Sequence, residues 1–463
     1  MATFSVIKRS ALEGSLRIDA QYYQEKYISN RNRISRFKCV RLGDISSVFR
    51  KGIFDIKASS YTDDGIPFVR IINLKDGLID DSEIVHIPVD IHLKESKTAL
   101  TKGDIILSKT AYPAASLVTL DICNTSQDTI AIKLSDFWRN KLYSGYLVAF
   151  LNSFYGLLLL EQWFQGNIQM HLSLPDAKRV LIPIFKEEYQ QIIDNMWWEA
   201  SKKRELAKLL YCQAEQILLS ELGLLDWKPR RTLTYVRSFN QVAKASRMDA
   251  EHFHPKYKEM FDRLPSNVYL QLLGKITLYT KGIEVGSSAY TESGIPFLRV
   301  SNLSKHGIVD DTVNFISNEL YNVLREKYEP QQGEILLSKD ATPGIAYFLD
   351  ESVQGIIASG ILRLSLIEDI PPYYLELVLN SIFVQLQIEQ SVGGSIIKHW
   401  KPSQVQKTWI PRLLADREKE ISALVQQSHA ARREAKTLLE KAKRAVEIAI
   451  EYGEQQAMDF LCK

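Results

Sequence analysis

The chain has 463 residues, more than one hydrophobic core usually accommodates, which predicts two or more domains. Its composition, 45% hydrophobic and 24% charged, is that of an ordinary globular protein. Its net charge is only +3, so the overall charge gives no support for nucleic-acid binding, and any basic surface has to be local. The four widely spaced cysteines contain no CxxC pair, which argues against a zinc site or a disulfide framework and favours a reducing cytoplasm.

Neither a targeting segment nor a membrane span is predicted. The first ten residues, MATFSVIKRS, have no apolar signal core. The most apolar stretch, 146–160, is short for a transmembrane helix and contains Asn152, Ser153 and Gly156. We therefore expect a buried helix here, in a cytoplasmic protein without membrane contact.

The sequence contains an internal duplication with an offset of 228 to 230 residues. The repeated segments are RIDAQYY at 17–23 and RMDAEHF at 247–253, KGI at 51–53 and 281–283, YTDDGIPFVRIINL at 61–74 and YTESGIPFLRVSNL at 290–303, GDIILSK at 103–109 and GEILLSK at 333–339, LNS at 151–153 and 379–381, His171 and His399, and IP at 182–183 and 410–411. So many matches in one order indicate two copies of one domain.

Each copy is predicted to mix strands and helices. Apolar runs with Pro near the start predict strands, and longer apolar segments without turn residues predict helices. The predicted strands are 66–74, 104–108, 295–303 and 334–338, and the predicted helices are 146–163 and 373–390.

Two longer segments, 187–222 and 416–452, contain no Pro or Gly and are predicted to be helices. The first would be about 54 Å long at about 1.5 Å per residue. Seven-residue spacing predicts a contact seam of Ile193, Ala200, Ala207 and Ala214 with Met196, Lys203, Leu210 and Ile217, and a matching seam of Ile421, Ser428, Ala435, Ala442 and Ala449 with Leu424, Ala431, Leu438 and Ala445. We expect the helices to pair; alternatively, each packs only on its own domain.

The resulting organisation is domain, helix, domain, helix. The predicted boundaries are a first domain at 1–186, a central helix at 187–222, a linker with the second domain at 223–414, and a C-terminal helix with a tail at 415–463.

No motif in the sequence makes a convincing catalytic site. No GxxxxGK[ST] loop is present to bind a triphosphate. The segment DIPPY at 369–373 approximates an amino-methyltransferase signature, but Ile370 stands where a hydrogen-bonding residue is needed. The eight histidines show no HExxH or HxH spacing. We therefore expect a binding protein that is not an enzyme and has no metal site.

The duplicated plan resembles the specificity subunit of type I restriction-modification systems. The resemblance is carried by the repeated Gly-Ile-Pro-Phe-x-Arg-x-x-Asn-Leu, the repeated Gly-[Asp/Glu]-Ile-x-Leu-Ser-Lys and the two long helices, which together cover nearly the whole chain. It implies an α+β fold of two tandem, similar, mixed α/β target-recognition domains. Each is followed by a long helix, and the two helices pair as an antiparallel coiled coil.

The resemblance also implies a function in a prokaryotic cytoplasm. Each domain reads one half of a bipartite, asymmetric target in double-stranded DNA, and the helices set the spacing and dock DNA adenine methyltransferase subunits, with Trp197 and Trp198 as candidate anchors. S-adenosylmethionine belongs to those subunits, ATP and Mg²⁺ belong to a restriction and translocase subunit that joins them, and this chain binds no cofactor. Two alternatives stay open: a related split-site (type IIB-like) system, and a coiled-coil scaffold or adaptor for protein partners.

Comparison of the two copies divides the candidate DNA contacts into two groups. Residues identical in both copies are candidates for contact with the DNA backbone: Lys51, Arg70, Lys109, His171, Lys281, Arg299, Lys339 and His399. The alternative for Arg70 and Arg299 is pairing with a nearby carboxylate. Residues that differ at corresponding loop positions are candidates for reading bases: Thr110 with Asp340, Tyr112 with Thr342, Gln169 with Ile397, Met170 with Lys398, and Leu172 with Trp400.

Overall fold

The computed structural model describes residues 6–7, 12, 17–166, 170–230, 232–309, 313–392 and 398–462. The chain divides into two compact units. Unit 1 comprises Met1–Glu205 and Ala431–Lys463, and unit 2 comprises Leu206–Ala430. Each unit thus contains one copy of the duplicated domain and a part of each long helix.

Unit 1 is built around two mixed sheets. Its strands are β1 Cys39–Arg41, β2 Ser46–Lys51, β3 Ile66–Val69, β4 Leu74–Lys75, β5 Leu78–Ile79, β6 Val85–Ile87, β7 Leu100–Thr101, β8 Ile105–Ser108, β9 Ala115–Leu117, β10 Ile122–Thr125, β11 Thr129–Leu134 and β12 Leu181–Pro183. The six-stranded sheet has the order β2-β11-β8-β9-β5-β4, the four-stranded sheet has the order β6-β3-β10-β7, and β1 pairs with β12.

The helices of unit 1 lie between these strands and at their flanks. They are α1 Glu25–Ile34, α2 Val89–Lys94, α3 Asp136–Arg139, α4 Ser144–Leu151, α5 Phe154–Trp163 and α6 Leu174–Ala177, with 3-10 turns at Ala58–Ser60, Ile71–Asn73 and Ser96–Thr98. The first long helix, α7, follows at Glu187–Glu221.

Unit 2 repeats this arrangement. Its strands are β13 Tyr269–Leu272, β14 Thr277–Lys281, β15 Tyr290–Thr291, β16 Ile295–Leu298, β17 Leu303–Ser304, β18 Gly307–Ile308, β19 Asn314–Ile316, β20 Ile335–Ser338, β21 Ala346–Phe348, β22 Ile356–Ile357, β23 Ile361–Leu366 and β24 Trp409–Arg412. The sheet β14-β23-β20-β21 corresponds to β2-β11-β8-β9, and β15-β19-β16-β22 corresponds to the sheet around β3 and β10; β13 pairs with β24, and β17 with β18.

The remaining helices complete unit 2 and the second helical segment. They are α8 Phe239–Ala245, α9 Pro255–Asp262, α10 Leu273–Ile276, α11 Asn318–Tyr328, α12 Pro372–Asn380, α13 Ile382–Val392, α14 Pro402–Val405, α15 Ala415–Tyr452 and α16 Glu454–Leu461, with 3-10 turns at Glu251–Phe253, Ser287–Ala289 and Val300–Asn302. The predicted α+β class, with two similar mixed domains each followed by a long helix, is confirmed.

The predicted single helices 146–163 and 373–390 are each two helices, and the repeated Leu-Asn-Ser marks the break. The Asn152 side chain bonds both backbone groups of Ala115 in β9, and Asn380 does the same with Ala346 in β21. Ser153 then caps α5 by accepting from the Gly156 N–H. Among the described residues, no single helix is long and apolar enough to span a membrane.

The predicted strands 66–74 and 295–303 are also too long. They end at Val69 and Leu298, because the next residue donates its backbone N–H to an asparagine side chain three positions later. Asn73 accepts from Arg70 at 2.9 Å, and Asn302 accepts from Arg299 at 3.1 Å. Both asparagines are buried, so this repeated residue holds a turn.

In unit 2, the long helices pair in opposite directions. The Ser428 hydroxyl donates to the carbonyl oxygen of Ala207 at 2.6 Å, and Arg417 pairs with Glu221 at 3.1 Å. A later residue of α7 therefore lies opposite an earlier residue of α15. This is the antiparallel pairing that the family resemblance implies.

In unit 1, a separate pair of contacts gives the same direction. Lys203 pairs with Glu434 at 2.5 Å, and the Lys186 N–H donates to the Glu454 carboxylate at 2.9 Å. Glu454 opens α16, whose Ala457 is buried, so the tail packs against the same core as the start of α7.

The predicted seam is correct for one row and wrong in part for the other. The row Ile193, Ala200, Ala207, Ala214, Ile421, Ser428, Ala435, Ala442 and Ala449 is buried, and so are Ala431 and Ala445. The predicted positions Met196, Lys203, Leu210, Ile217, Leu424 and Leu438 are only half-buried. The residues buried in their place lie one position further on, at Trp197, Tyr211, Leu218, Val425 and Leu439.

The displaced row has a physical cause, because in each unit the segments of the two long helices pack on the domain of that unit as well as on each other, which widens the buried face. The Trp197 indole N–H donates to the carbonyl oxygen of Gly77 at 3.1 Å and is wholly buried. The prediction of Trp197 as a docking anchor is therefore wrong. Trp198 is half-buried, with the Lys102 ammonium 5.5 Å from its ring.

The Asp80 carboxylate stabilises unit 1 in a pH-dependent way. Burial acts to raise the pKa of Asp80, but the Lys75 ammonium at 2.9 Å and the Ser82 N–H at 3.1 Å outweigh it and lower the pKa to about 2. A depressed carboxylate pKa contributes stability above the unfolded-state value of about 3.8, and this is lost as the pH falls toward 2.

We expect Asp80→Asn to lower the free energy of unfolding by about 2 kcal/mol at pH 6 and by far less at pH 2.5. Urea midpoints of wild type and variant at both pH values measure this difference. The exposed Asp63→Asn is the matched control and should change neither midpoint. An equal gap between wild type and Asp80→Asn at both pH values would contradict the assignment.

Candidate nucleic-acid interface

The repeated Ser-Lys at the end of β8 and β20 opens a loop with the same hydrogen bonds in both units. The Ser108 hydroxyl donates to the Tyr112 carbonyl oxygen at 2.5 Å and accepts from the Ala114 N–H at 2.8 Å. The Ser338 hydroxyl donates to the Thr342 carbonyl oxygen at 2.6 Å and accepts from a backbone N–H at 2.8 Å. One serine therefore fixes the whole loop in each copy.

An alanine in the left-handed backbone region occupies the same place in both loops. Ala111 has φ 62° and Ala341 has φ 59°, a conformation that costs a residue with a Cβ atom about 1–2 kcal/mol. The Ala111 N–H donates to the Met170 carbonyl oxygen, and the Ala341 N–H donates to the Lys398 carbonyl oxygen, both at 3.1 Å. Such strained residues are frequent at binding sites.

These loops bring together candidates that lie about 60 residues apart in sequence. The Leu172 N–H donates to the Lys109 carbonyl oxygen and the Trp400 N–H to that of Lys339, both at 2.8 Å. Thr110 thereby pairs with His171, and Asp340 pairs with His399, in equivalent isolated bridges. The two predicted candidate segments form one surface patch in each unit.

The exposed side chains of this patch differ between the two copies. Tyr112 and His171 are exposed in unit 1, and Thr342, Lys398 and His399 are exposed in unit 2. The identical serines, alanines and histidines supply the shared geometry, whereas positions 112 and 342 present different chemistry to the solvent. Met170 is half-buried and packs against the core of unit 1.

Three predicted base-reading residues are core residues instead. Thr110 is 4% exposed, Leu172 is 0% exposed and Trp400 is 1% exposed, so none of these side chains reaches a base edge. The alternation of a short extended segment turns Leu172 and Trp400 inward, while the preceding His171 and His399 turn outward. Gln169 and Ile397 lie outside the described residues.

In unit 2, Asp340 is held between the Lys339 ammonium and the His399 imidazole. Its carboxylate contacts the Lys339 ammonium and lies 2.8 Å from Nδ1 of His399. Burial acts to raise the pKa of Asp340, but Lys339 and His399 outweigh it and hold the pKa below its usual value. The carboxylate is thus ionised and fixed in orientation at the surface.

The backbone-contact candidates have different environments. Lys339 is 8% exposed and pairs with Asp340, so it positions that carboxylate rather than contacting a phosphate. This prediction is therefore wrong for Lys339. Lys281, His171 and His399 are exposed, while Lys51, Lys109, Arg70 and Arg299 are half-buried.

The alternative of an arginine paired with a carboxylate is not what the structure records for Arg70. Its Nη2 donates to the backbone carbonyl oxygen of Glu83 at 2.9 Å, and its guanidinium lies 6.0 Å from the Tyr61 ring centre. Arg70 lines a pocket of about 240 Å³ beside Asp128 and Gln127. As a cation that lines this pocket, Arg70 stays a candidate for a DNA contact.

The acid of the repeated Gly-[Asp/Glu] motif has a structural role. Asp104 is buried between Lys133 at 3.3 Å and Arg139 at 3.0 Å. Glu334, its counterpart, binds Arg363. The DIPPY segment is also structural, because its second proline opens α12 and Ile370 is buried.

The residue that follows each repeated Lys-Gly-Ile is not among the candidates predicted from the sequence. Phe54 is 70% exposed, its counterpart Glu284 is also exposed, and the two are chemically unlike. Positions 112 and 342 are selected because the residue changes between the copies beside a motif that does not change. The same criterion selects Phe54 and Glu284.

No protein-family model matches the chain, and no curated protein sequence matches it. Solved structures similar to it include the type I restriction-modification S subunit from M. genitalium, at 13% identity and a TM-score of 0.39, covering 92% of this chain and 96% of that one. Another is the HsdS subunit from Thermoanaerobacter tengcongensis, at 17% identity and a TM-score of 0.28, covering 90% and 97%. The type IIG restriction endonuclease BpuSI is similar over 41% of this chain and 30% of its own, at 12% identity and a TM-score of 0.31.

Proposed function

We propose that this chain is the non-catalytic DNA-recognition subunit of a type I restriction-modification system. Each unit reads one half of a bipartite, asymmetric target in double-stranded DNA. The observation that supports this most is the duplicated loop frame, built on Ser108 and Ala111 in unit 1 and on Ser338 and Ala341 in unit 2. An identical loop frame that presents different exposed side chains suits two domains that recognise different half-site sequences, which are called half-words below.

The exposed residues of the patch, together with half-buried Asp340, have chemistry that suits base edges. A fixed carboxylate such as Asp340 accepts a hydrogen bond from the amino group of cytosine, and Lys398 donates to guanine. Tyr112 and Thr342 offer apolar contact to the methyl group of thymine. Because the two units differ at these positions, their half-words differ, and the whole target is asymmetric.

The paired helices set the separation of the half-words and dock methyltransferase subunits. The antiparallel contacts found in each unit support a stiff spacer. Once one unit is bound, a stiff spacer makes binding of the second intramolecular, which raises the overall affinity. Exposed Leu206 and Leu209 on α7 supply apolar surface for docking. S-adenosylmethionine is then held by the methyltransferase, and ATP with Mg²⁺ by the motor and nuclease subunit.

The test combines the full-length chain, a randomised duplex DNA pool and the methyltransferase encoded beside it. We expect a ternary complex that selects a split word and whose DNA affinity falls steeply with salt, as phosphate contacts release counterions. DNA affinity that is absent or independent of salt would overturn the proposal. A complex formed with proteins alone would instead indicate a scaffold or adaptor.

Lys398→Ala is expected to relax base preference at one position of the second half-word by about 1–3 kcal/mol, and to leave the first half-word unchanged. Sequencing the DNA selected by wild type and variant measures both words. Lys407→Ala, another exposed lysine of unit 2, is the matched control. Uniform weakening across all sequences would assign Lys398 to a phosphate contact instead.

A further inference from the structure

We propose that a second loop pair in each unit contacts bases, formed by residues 54–55 with 127–128 in unit 1 and by residues 284–285 with 359–360 in unit 2. This inference rests on the proposed function and assigns specificity residues to it. The side chains that differ most in chemistry are Phe54 and Glu284, which occupy the same position in the two copies.

The repeated Lys-Gly-Ile fastens this loop to the sheet. The Ile53 N–H donates to the Thr125 carbonyl oxygen at 2.8 Å, and the Ile283 N–H donates to the Ile357 carbonyl oxygen at 3.1 Å. A Cβ atom on Gly52 would lie 2.2 Å from the carbonyl oxygen of Ser126, which no side chain tolerates.

Gly282 has the same environment, since a Cβ atom there would lie 2.2 Å from the carbonyl oxygen of Ala358. The glycine is therefore required for close backbone contact in both copies. The residue that follows the isoleucine leaves this fixed point toward solvent, so its position is set by the shared frame while its chemistry is free to vary.

The second loop pair is joined directly to the first reading loop. The Lys109 N–H donates to the Asp128 carbonyl oxygen, and the Lys339 N–H donates to the Gly360 carbonyl oxygen, both at 2.8 Å. A Cβ atom on Gly360 would lie 3.6 Å from the Asp340 carboxylate. In each unit the two loops thus form one continuous surface.

The side chains at the tip of this surface are accessible and oriented. Phe54 is 70% exposed, and the Lys51 ammonium lies 4.5 Å from its ring centre. In unit 2, the Ser359 hydroxyl donates to the Glu284 carboxylate at 2.6 Å. Solvent exposure of a large aromatic residue costs burial free energy, which is regained when the ring packs against a ligand.

The two chemistries predict different base preferences. Phe54 makes apolar contact with a thymine methyl group. The neighbouring Lys51 ammonium pairs with the negative charge of a DNA phosphate. Glu284, oriented by Ser359, accepts a hydrogen bond from the amino group of cytosine. We therefore assign Phe54 to the first half-word and Glu284 to the second.

The test selects randomised duplex DNA with the full-length wild type and with Glu284→Gln and Phe54→Ala. Glu284→Gln should change the preference at one position of the second half-word by roughly 10-fold or more and leave the first unchanged. Phe54→Ala should do the converse. Exposed Glu292→Gln and Phe137→Ala are controls that should change neither word.

The outcomes separate this inference from the proposed function. If the wild type selects a split word and both variants select that word unchanged, the second loop pair does not read bases. A uniform loss of affinity across all sequences, at an unchanged thermal midpoint, also overturns the inference. If the wild type selects no word, the proposed function itself fails.

Discussion

Insertion of seven residues into each long helix, after Glu205 and after Ala430, is expected to widen the gap between the two half-words by about three base pairs. Seven helical residues add about 10.5 Å, and one base pair spans about 3.4 Å. Positions near 206 and 430 face each other in the antiparallel register given by Ala207 and Ser428. A whole heptad keeps the buried row of Ile193, Ala200 and Ala207 in phase.

Selection of randomised DNA measures the spacing, and each half-word should be recovered unaltered. The matched control inserts seven residues after Glu205 only, which leaves one helix longer than its partner and should lower stability and DNA selection together. A three-residue insertion in both helices is a second control, because it rotates the seam by most of a turn. Recovery of the original spacing from the double heptad variant would exclude the helices as the spacer.

Hydrophobic periodicity predicted the bounds of the long helices closely, because the pattern repeats over more than 30 residues in each helix and no single residue decides the prediction. The segment 187–222 became Glu187–Glu221, and 416–452 became Ala415–Tyr452. The duplication gave the tandem domains in the same way, through many weak matches. Periodicity alone did not predict the second buried row at Trp197 and Tyr211, because that row depends on contacts with residues far away in the sequence, such as Gly77.

The sequence selected candidate residues in two segments, and the structure brings these segments together as one surface patch in each unit. Comparing the copies selected both the Ser-Lys loop and the segment around His171 and His399, but it did not predict that the two lie together, which the isolated bridges of Thr110 with His171 and Asp340 with His399 bring about. It did not distinguish inward from outward side chains, so buried Thr110, Leu172 and Trp400 were included. In a segment of three residues, a one-residue change of register reverses every side chain, and sequence alone does not specify that register.

Removal of the buried Glu334 carboxylate is expected to be among the most damaging single changes in unit 2. Its Oε2 accepts from Arg363 Nε at 2.7 Å, its Oε1 accepts from Nη2 at 3.0 Å, and it also accepts from the Ser365 hydroxyl and the Gln331 N–H. Glu334→Ala leaves the buried Arg363 guanidinium without this carboxylate, which costs about 3–5 kcal/mol of unfolding free energy.

Urea unfolding measures this loss, and hydrogen exchange should place it in β20 and β23. Exposed Glu326→Ala is the control and should change the unfolding free energy by less than about 0.5 kcal/mol. The double variant Glu334→Leu, Arg363→Met should recover much of the stability. Glu334→Ala is destabilising because it leaves the buried Arg363 charge unpaired, whereas the ion pair itself contributes little net stability, so replacing both partners with apolar residues removes the penalty. If the double variant is as unstable as Glu334→Ala, the packing of β20 against β23, and not the buried charge, limits stability. Because β20 leads into the loop at Lys339, Glu334→Ala should also weaken selection of the second half-word while the first is retained.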